Sequence, residues 1–261
     1  MPFISSTNRI FVINLDRKTA RLEKITSRLK KENLLDMYER FSPISADKID
    51  TEFMKENKYK LFPNFELKGH KNKYYNRPIY KAEISCALAH NSIWNIAKEK
   101  NYNYILILED DAAWEAGKLI QALDEFIEWY EQTDKDLCDL LYVGRKPQRR
   151  PETEFFCSLK QKYSSSYWNH PHYPNNYVIP KFSYCTHGYL LTQSGIDKLV
   201  KQKFERKICP ADDALSVYLG DHDREDIRNF YPNILNALSV KDPYLVYQDD
   251  KSSDIENSTP L

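Results

Sequence analysis

Glycine is scarce here, with 6 in 261 residues. None of the six clusters into a loop whose backbone N–H groups could cradle phosphate oxygens, so phosphotransfer and related hydrolytic enzymes rank last. Long apolar runs are also missing: no stretch approaches the ~20 residues that cross a bilayer. The run Ile10 to Leu15, interrupted by Asn14, is too short for a signal peptide and lies too far from a basic leader. These absences predict a cytoplasmic chain, bacterial or in the host of a virus. Excess charge is absent as well. Lys+Arg and Asp+Glu stand at 38 each, which leaves no broad cationic face for nucleic acid. The cysteines (Cys86, Cys138, Cys157, Cys185 and Cys209) are odd in number and lack zinc-ligand spacing. Buried free thiols are the expectation, not a disulfide framework.

What remains is a globular chain, 41% hydrophobic, long enough for one large core. We read it as a single domain over residues 1–261, with insertions at 45–80 and 146–180 and a polar tail at 249–261. Strands are expected at Arg9–Leu15 and Tyr38–Ile44, around a helix capped by Thr19 that carries Leu22, Ile25 and Leu29 on one face. That is the opening β-α-β unit of an α/β fold. Helices follow at Lys81–Lys98, Ala116–Tyr130, Ser194–Lys201 and Asp212–Leu219, with strands at Tyr104–Leu108, Asp139–Val143 and Tyr184–Leu191. The first insertion is polar and aperiodic, as lids and binding loops often are. The second crowds aromatics between Tyr163 and Tyr177, which suit either sugar stacking or packing among themselves.

The chemistry concentrates at Ile105-Leu106-Ile107-Leu108-Glu109-Asp110-Asp111. A strand this apolar is covered on both faces, as in a parallel sheet between helices. Its acids emerge at the C-terminal end, where open α/β sheets bind ligands. Side chains alternate along a strand, so Glu109 and Asp111 share one side and Asp110 takes the other. An acid pair at i and i+2 can hold one divalent cation, with phosphate oxygens and water completing its shell. An acidic turn leading into the next helix accounts for the same residues. Both readings stay open on these residues alone.

The block Ala82-Glu83-Ile84-Ser85-Cys86-Ala87-Leu88-Ala89-His90, with Trp94 and then Leu108-Glu109-Asp110-Asp111, resembles the centre of glycosyltransferase family 25. Further blocks match in order: Val12–Arg17 with Arg21, Leu141–Arg145, Gly188–Leu191 with Gly195, Pro210–Leu215, and Leu245–Gln248 with Ser253-Asp254-Ile255. Ser85 and Ala89 depart from the family, where Gly and Ser are usual. The resemblance implies a GT-A-like fold with a mixed, mostly parallel sheet flanked by helices. It also implies a UDP-sugar donor, Mn2+ or Mg2+, and an acceptor hydroxyl on a glycan or a hydroxylated, collagen-like protein. Galactose or glucose would be transferred, with inversion. Metal ligands would be Glu109, Asp111 and His187, and the base Asp212, with Asp213 next, although capping of a helix start also accounts for those two aspartates. Donor contacts would come from Asn14, Arg17, Arg21, His90, Glu109, Asp110 and Arg145. His90 and His187 also suit core roles, and a surface place suits each arginine. An inactive donor-binding or adhesion module of the same fold is the alternative function, and a homodimer stays open.

Overall fold

The computed structural model describes residues 2–148, 177–250 and 258–261. The aromatics Tyr163 to Tyr173, Cys157, insertion residues 149–176 and tail residues 251–257, including the Ser253-Asp254-Ile255 match, lie outside the described residues.

The opening unit forms as expected from β1 (Asn8–Ile13), α1 (Thr19–Lys31) and β2 (Tyr38–Phe41), with Ile10 of β1 registered against Tyr38 of parallel β2. Thr19 is the first helical residue and not the cap. Lys18 takes that place and makes no side-chain capping bond. The basic last turn of α1 (Arg28, Lys30, Lys31) complements the helix dipole instead.

The segment expected to be a loose insertion is packed. It contains α2 (Thr51–Glu56), capped by the Asp50 carboxylate accepting from Phe53 N at 2.8 Å. Ile49, Met54, Phe62, Phe65, Tyr75 and Ile79 from this stretch are buried. Their spacing follows no single period, which hides a core contribution from a periodicity reading. Next come α3 (Lys81–Glu99), β3 (Tyr104–Glu109), β4 (Ala112–Trp114) and α4 (Lys118–Glu131). They are followed by β5 (Leu140–Pro147), β6 (Tyr177–Val178), β7 (Ser183–Thr192) and α5 (Gln193–Val200). The described chain continues through α6 (Ala211–Tyr218), α7 (Glu225–Phe230), β8 (Ala237–Val240) and β9 (Val246–Gln248).

Seven strands form one sheet in the order β2-β1-β3-β7-β5-β8-β6. Strands β2, β1, β3, β5 and β8 run one way, and β7 and β6 run against them. The sheet is therefore mixed and mostly parallel. Strand parity divides the core in two. Ile105 and Ile107 join α3, α5 and α6 on one face, while Leu106 and Leu108 join α1 and α4 on the other. Burying each such side chain stabilises the fold by about 1.5–3 kcal/mol.

A two-stranded ribbon, β4 with β9, crosses the end of the sheet and pairs Ala112 with Gln248. Gly144 permits this crossing, because a Cβ there would stand 2.4 Å from the Val246 carbonyl oxygen. The ribbon brings the C-terminal part of the chain against the acids that end β3.

Candidate active site and metal centre

A cleft of about 710 Å3 opens where β1 and β3 end, bounded by β7 and by the starts of α3 and α6. Arg17, Arg21, Glu109, Asp110, Asp111, His187 and Asp212 line it, with Gln248 from the ribbon. All of these except Gln248 are predicted site residues, drawn from four separate stretches of sequence.

The alternation of the three acids survives beyond the strand. Glu109 and Asp111 converge with His187, and one ligand-type atom from each lies within 4.8 Å of the other two. Glu109 accepts from the Thr186 hydroxyl at 2.8 Å, and its other oxygen lies 3.6 Å from His187 Nδ1. Asp111 Oδ2 accepts from Gln248 Nε2 at 3.0 Å and sits 3.2 Å from Arg21 Nη1. Asp111 Oδ1 is buried without any hydrogen-bond partner. Asp110 turns the other way, accepting from Asn14 Nδ2 at 2.7 Å and Arg21 Nη1 at 2.9 Å.

Electrostatics follow from this crowding. Burial, then the Glu109 charge, pushes Asp111 up to about 6. Burial works against the imidazolium of His187, yet the neighbouring Cys185 side chain and the nearby Glu109 carboxylate carry it up to about 10. Burial also opposes ionisation of Glu109, but His187 and Thr186 hold its carboxyl below the usual range. The protein alone thus gathers positive charge around two acids. A divalent ion fits this set. Two carboxylates and an imidazole converge, an orphaned buried oxygen points to a missing partner, and one nitrogen among oxygens favours a transition ion such as Mn2+ over Mg2+.

The two aspartates of α6 part company. Asp212 lines the cleft, accepting from Cys185 N and from Asp213 N, each at 3.0 Å. Cys185 adopts φ 65°, a left-handed conformation uncommon outside glycine, and its N–H is the one that meets Asp212. Burial, then the charge of Asp213, lifts Asp212 to about 7. Asp213 is fully buried, with Oδ1 accepting from Tyr75 OH and His222 Nε2 at 2.8 Å each. The Arg224 backbone N–H donates to His222 Nδ1 at 2.9 Å, so the Nε2 nitrogen carries the proton given to Asp213. Asp213 is a core residue, and Asp212 is the one that lines the cleft.

Three predicted donor contacts are placed differently. Asn14 is 1% exposed; besides gripping Asp110 it accepts from Arg40 Nε at 2.9 Å, so it positions an acid and is not among the described cleft residues. Arg145 is buried, donating from Nε to Ser239 Oγ and from Nη1 to Ser183 Oγ, both at 2.8 Å. Because β5 runs on to Pro147, Arg145 is an interior strand residue, and its neighbour Lys146 reaches the cleft instead. His90 is enclosed on α3, with Nδ1 2.7 Å from Tyr189 OH. Burial pushes its imidazole down to about 4. The family departures are accommodated locally: the Ser85 hydroxyl donates to Ile44 O at 2.5 Å, and Ala89 is packed in the core. Sequence reasoning missed Thr186, Cys185, Gln248, Tyr75 and His222. Only Gln248 carried a signal, its membership in the Leu245–Gln248 block.

Comparison with known proteins shows the family. Residues 7–215 match glycosyltransferase family 25 (LPS biosynthesis protein). The probable inactive glycosyltransferase 25 family member 3 of Bos taurus is 28% identical over 263 residues, covering 97% of this chain and 40% of that protein. Procollagen galactosyltransferase 2 of Homo sapiens is 28% identical over 265 residues, 97% of this chain and 38% of that one. Procollagen galactosyltransferase 1 of Danio rerio is 27% identical over 245 residues, 92% and 36% respectively. This chain spans well under half the length of these relatives. The family match runs from the first strand into the helix that bears Asp212, and the chain belongs to glycosyltransferase family 25.

Proposed function

We propose that this chain is a metal-dependent, inverting hexosyltransferase that moves galactose or glucose from a UDP-sugar to a hydroxyl group. The acceptor is a glycan or a hydroxylysine of a collagen-like protein. One observation carries the reading: Glu109, Asp111 and His187 converge, with a buried Asp111 oxygen unpartnered, in the cleft that also presents Asp212. Glu109, Asp111 and His187 would hold the ion, which supplies Lewis-acid stabilisation of the departing diphosphate.

The remaining work falls to side chains. Arg17, Arg21 and Lys146 line the cleft as cations and suit phosphate oxygens by charge. Arg21 also holds Asp110 and Asp111 in place. Asp212 accepts the proton of the acceptor hydroxyl as that oxygen bonds to the anomeric carbon. The bond from that carbon to the diphosphate breaks, and its electron pair leaves with UDP. An ionisable acid near 7 suits general-base work at neutral pH.

A second reading, a donor-binding module without turnover, draws on the bovine relative described as probably inactive. The joint presence of Glu109, Asp111 and Asp212 in one cleft favours the enzyme. Measuring UDP release from UDP-galactose and UDP-glucose, with Mn2+ and either a hydroxylysine peptide or an oligosaccharide acceptor, tests the choice. Metal-stimulated release that disappears in Asp111→Ala supports the transferase. Donor binding with no release under any combination supports the module.

A further inference from the structure

We propose that Cys86, His90 and Glu109 form a second cation site, selective for thiophilic ions such as Zn2+, Cd2+ or Co2+, that competes with the first. Cys86 and His90 stand four residues apart on α3, so their side chains share one face of the helix. The end of β3 sets Glu109 against that face, and one ligand-type atom from each residue lies within 4.8 Å of the other two. Cys86 and Glu109 both line the cleft, which provides the route of entry.

His90 supplies an independent observation. Its ring is fully buried, Nδ1 is engaged by Tyr189 OH, and Nε2 has no hydrogen-bond partner. Buried polar atoms are nearly always paired, and an orphan calls for a partner. The ring is already oriented from behind, since Trp94 Nε1 donates to the same Tyr189 oxygen at 3.1 Å. Metal-bound imidazoles have this kind of support on their second nitrogen.

Ligand chemistry chooses the ion. Thiolate, imidazole and carboxylate together suit tetrahedral Zn2+ and its cobalt and cadmium substitutes, whereas Mn2+ and Mg2+ prefer oxygen. On binding, the Cys86 S–H bond breaks and its proton passes to solvent as sulfur bonds to the ion. His90 binds through the Nε2 lone pair, with the ring proton on Nδ1 donated to the Tyr189 oxygen. Glu109 is common to both sites, and two cations drawn to one carboxylate repel each other, so filling this one weakens the other. That last consequence rests on the proposed metal centre; the site itself does not.

The test is titration of Co2+ into the full, metal-free chain, reading the thiolate-to-cobalt charge-transfer band in the near ultraviolet. The parent protein should show a saturable band that excess Mn2+ weakens. Cys86→Ser and Cys86→Ala should lose it, while Cys185→Ser, which removes the other thiol among the described cleft residues, should keep it. Thermal melts establish that the variants fold. Should both Cys86 variants fail to fold, His90→Gln must weaken cobalt affinity by about 10-fold or more. No band in the parent, a band surviving in folded Cys86 variants, or unchanged affinity in His90→Gln overturns the proposal. The reading is spectroscopic, so a chain without transferase activity still answers it. A band that Mn2+ leaves untouched refutes the competition.

Discussion

Replacing Asp212 by asparagine separates the catalytic reading from a structural one more cleanly than any other single change. Among the described residues, the two carboxylate oxygens of Asp212 accept only backbone N–H bonds, from Cys185 and Asp213. An amide keeps one accepting oxygen, so the folding loss should be about 1 kcal/mol. Loss of a positioned general base lowers turnover by about 10^2- to 10^4-fold, or roughly 3–5 kcal/mol of barrier. Donor binding, which does not use this group, should persist. The pH profile carries a second signature. Asp212 is lifted to about 7, and it works as a base only when ionised, so the rate rises with pH through that region. Between about pH 8 and pH 6 the ionised fraction falls from ~0.9 to ~0.1, roughly a tenfold loss of kcat. A divalent ion nearby moves this limb toward lower pH and never the other way. The assay is UDP release at saturating donor across that range, with Asp213→Asn for comparison. If Asp212→Asn keeps more than about a tenth of the parent kcat at high pH, or retains the acidic limb, the assignment of the base is wrong.

Mn2+ at about 100 times its Kd should stabilise the fold by roughly 2.7 kcal/mol, which raises Tm by about 5–10 °C. Asp111→Asn should abolish most of that rise in a thermal-shift measurement, and an undiminished rise refutes the ligand assignment. Tyr75→Phe removes one of the two hydrogen bonds to the buried Asp213 carboxylate and should lower stability by about 1.5–3 kcal/mol in urea unfolding. A loss below about 0.5 kcal/mol contradicts the structural role given to Asp213. Gly144→Ala places a methyl group 2.4 Å from the Val246 carbonyl and should cost about 1–3 kcal/mol. It should also weaken Mn2+ binding by displacing Gln248, so parent-like calorimetry would contradict the role of the ribbon.

The legible parts of this molecule were those with a short-range cause. Strand β3 could be read because five apolar residues precede three acids, and the pleat itself puts Glu109 and Asp111 on one side. The β-α-β opening followed from a change of period. The division between Asp212 and Asp213 could not be read, because both sit after a proline at a helix start. What distinguishes them is Tyr75, 138 residues upstream. Arg145 misled for a related reason: one more turn of the pleat in β5 moves it from the rim into the interior, and no local pattern marks where a strand stops. Strands β4 and β9 are three residues each, too short to show any alternation. The insertion before α3 hid core residues behind lysines and asparagines.

The ribbon has a consequence for biogenesis. Gln248 reaches Asp111, the Asp249 N–H donates to the Asp111 carbonyl at 2.9 Å, and Asp250 meets Arg21 at 3.0 Å. Those partners lie more than a hundred residues apart along the backbone, and such distant pairings form late. A nascent polypeptide still on the ribosome can build β1, α1 and β3 while the acids of the proposed ion site lack these supports. They arrive when the segment through Asp250 clears the exit tunnel and folds back across the sheet.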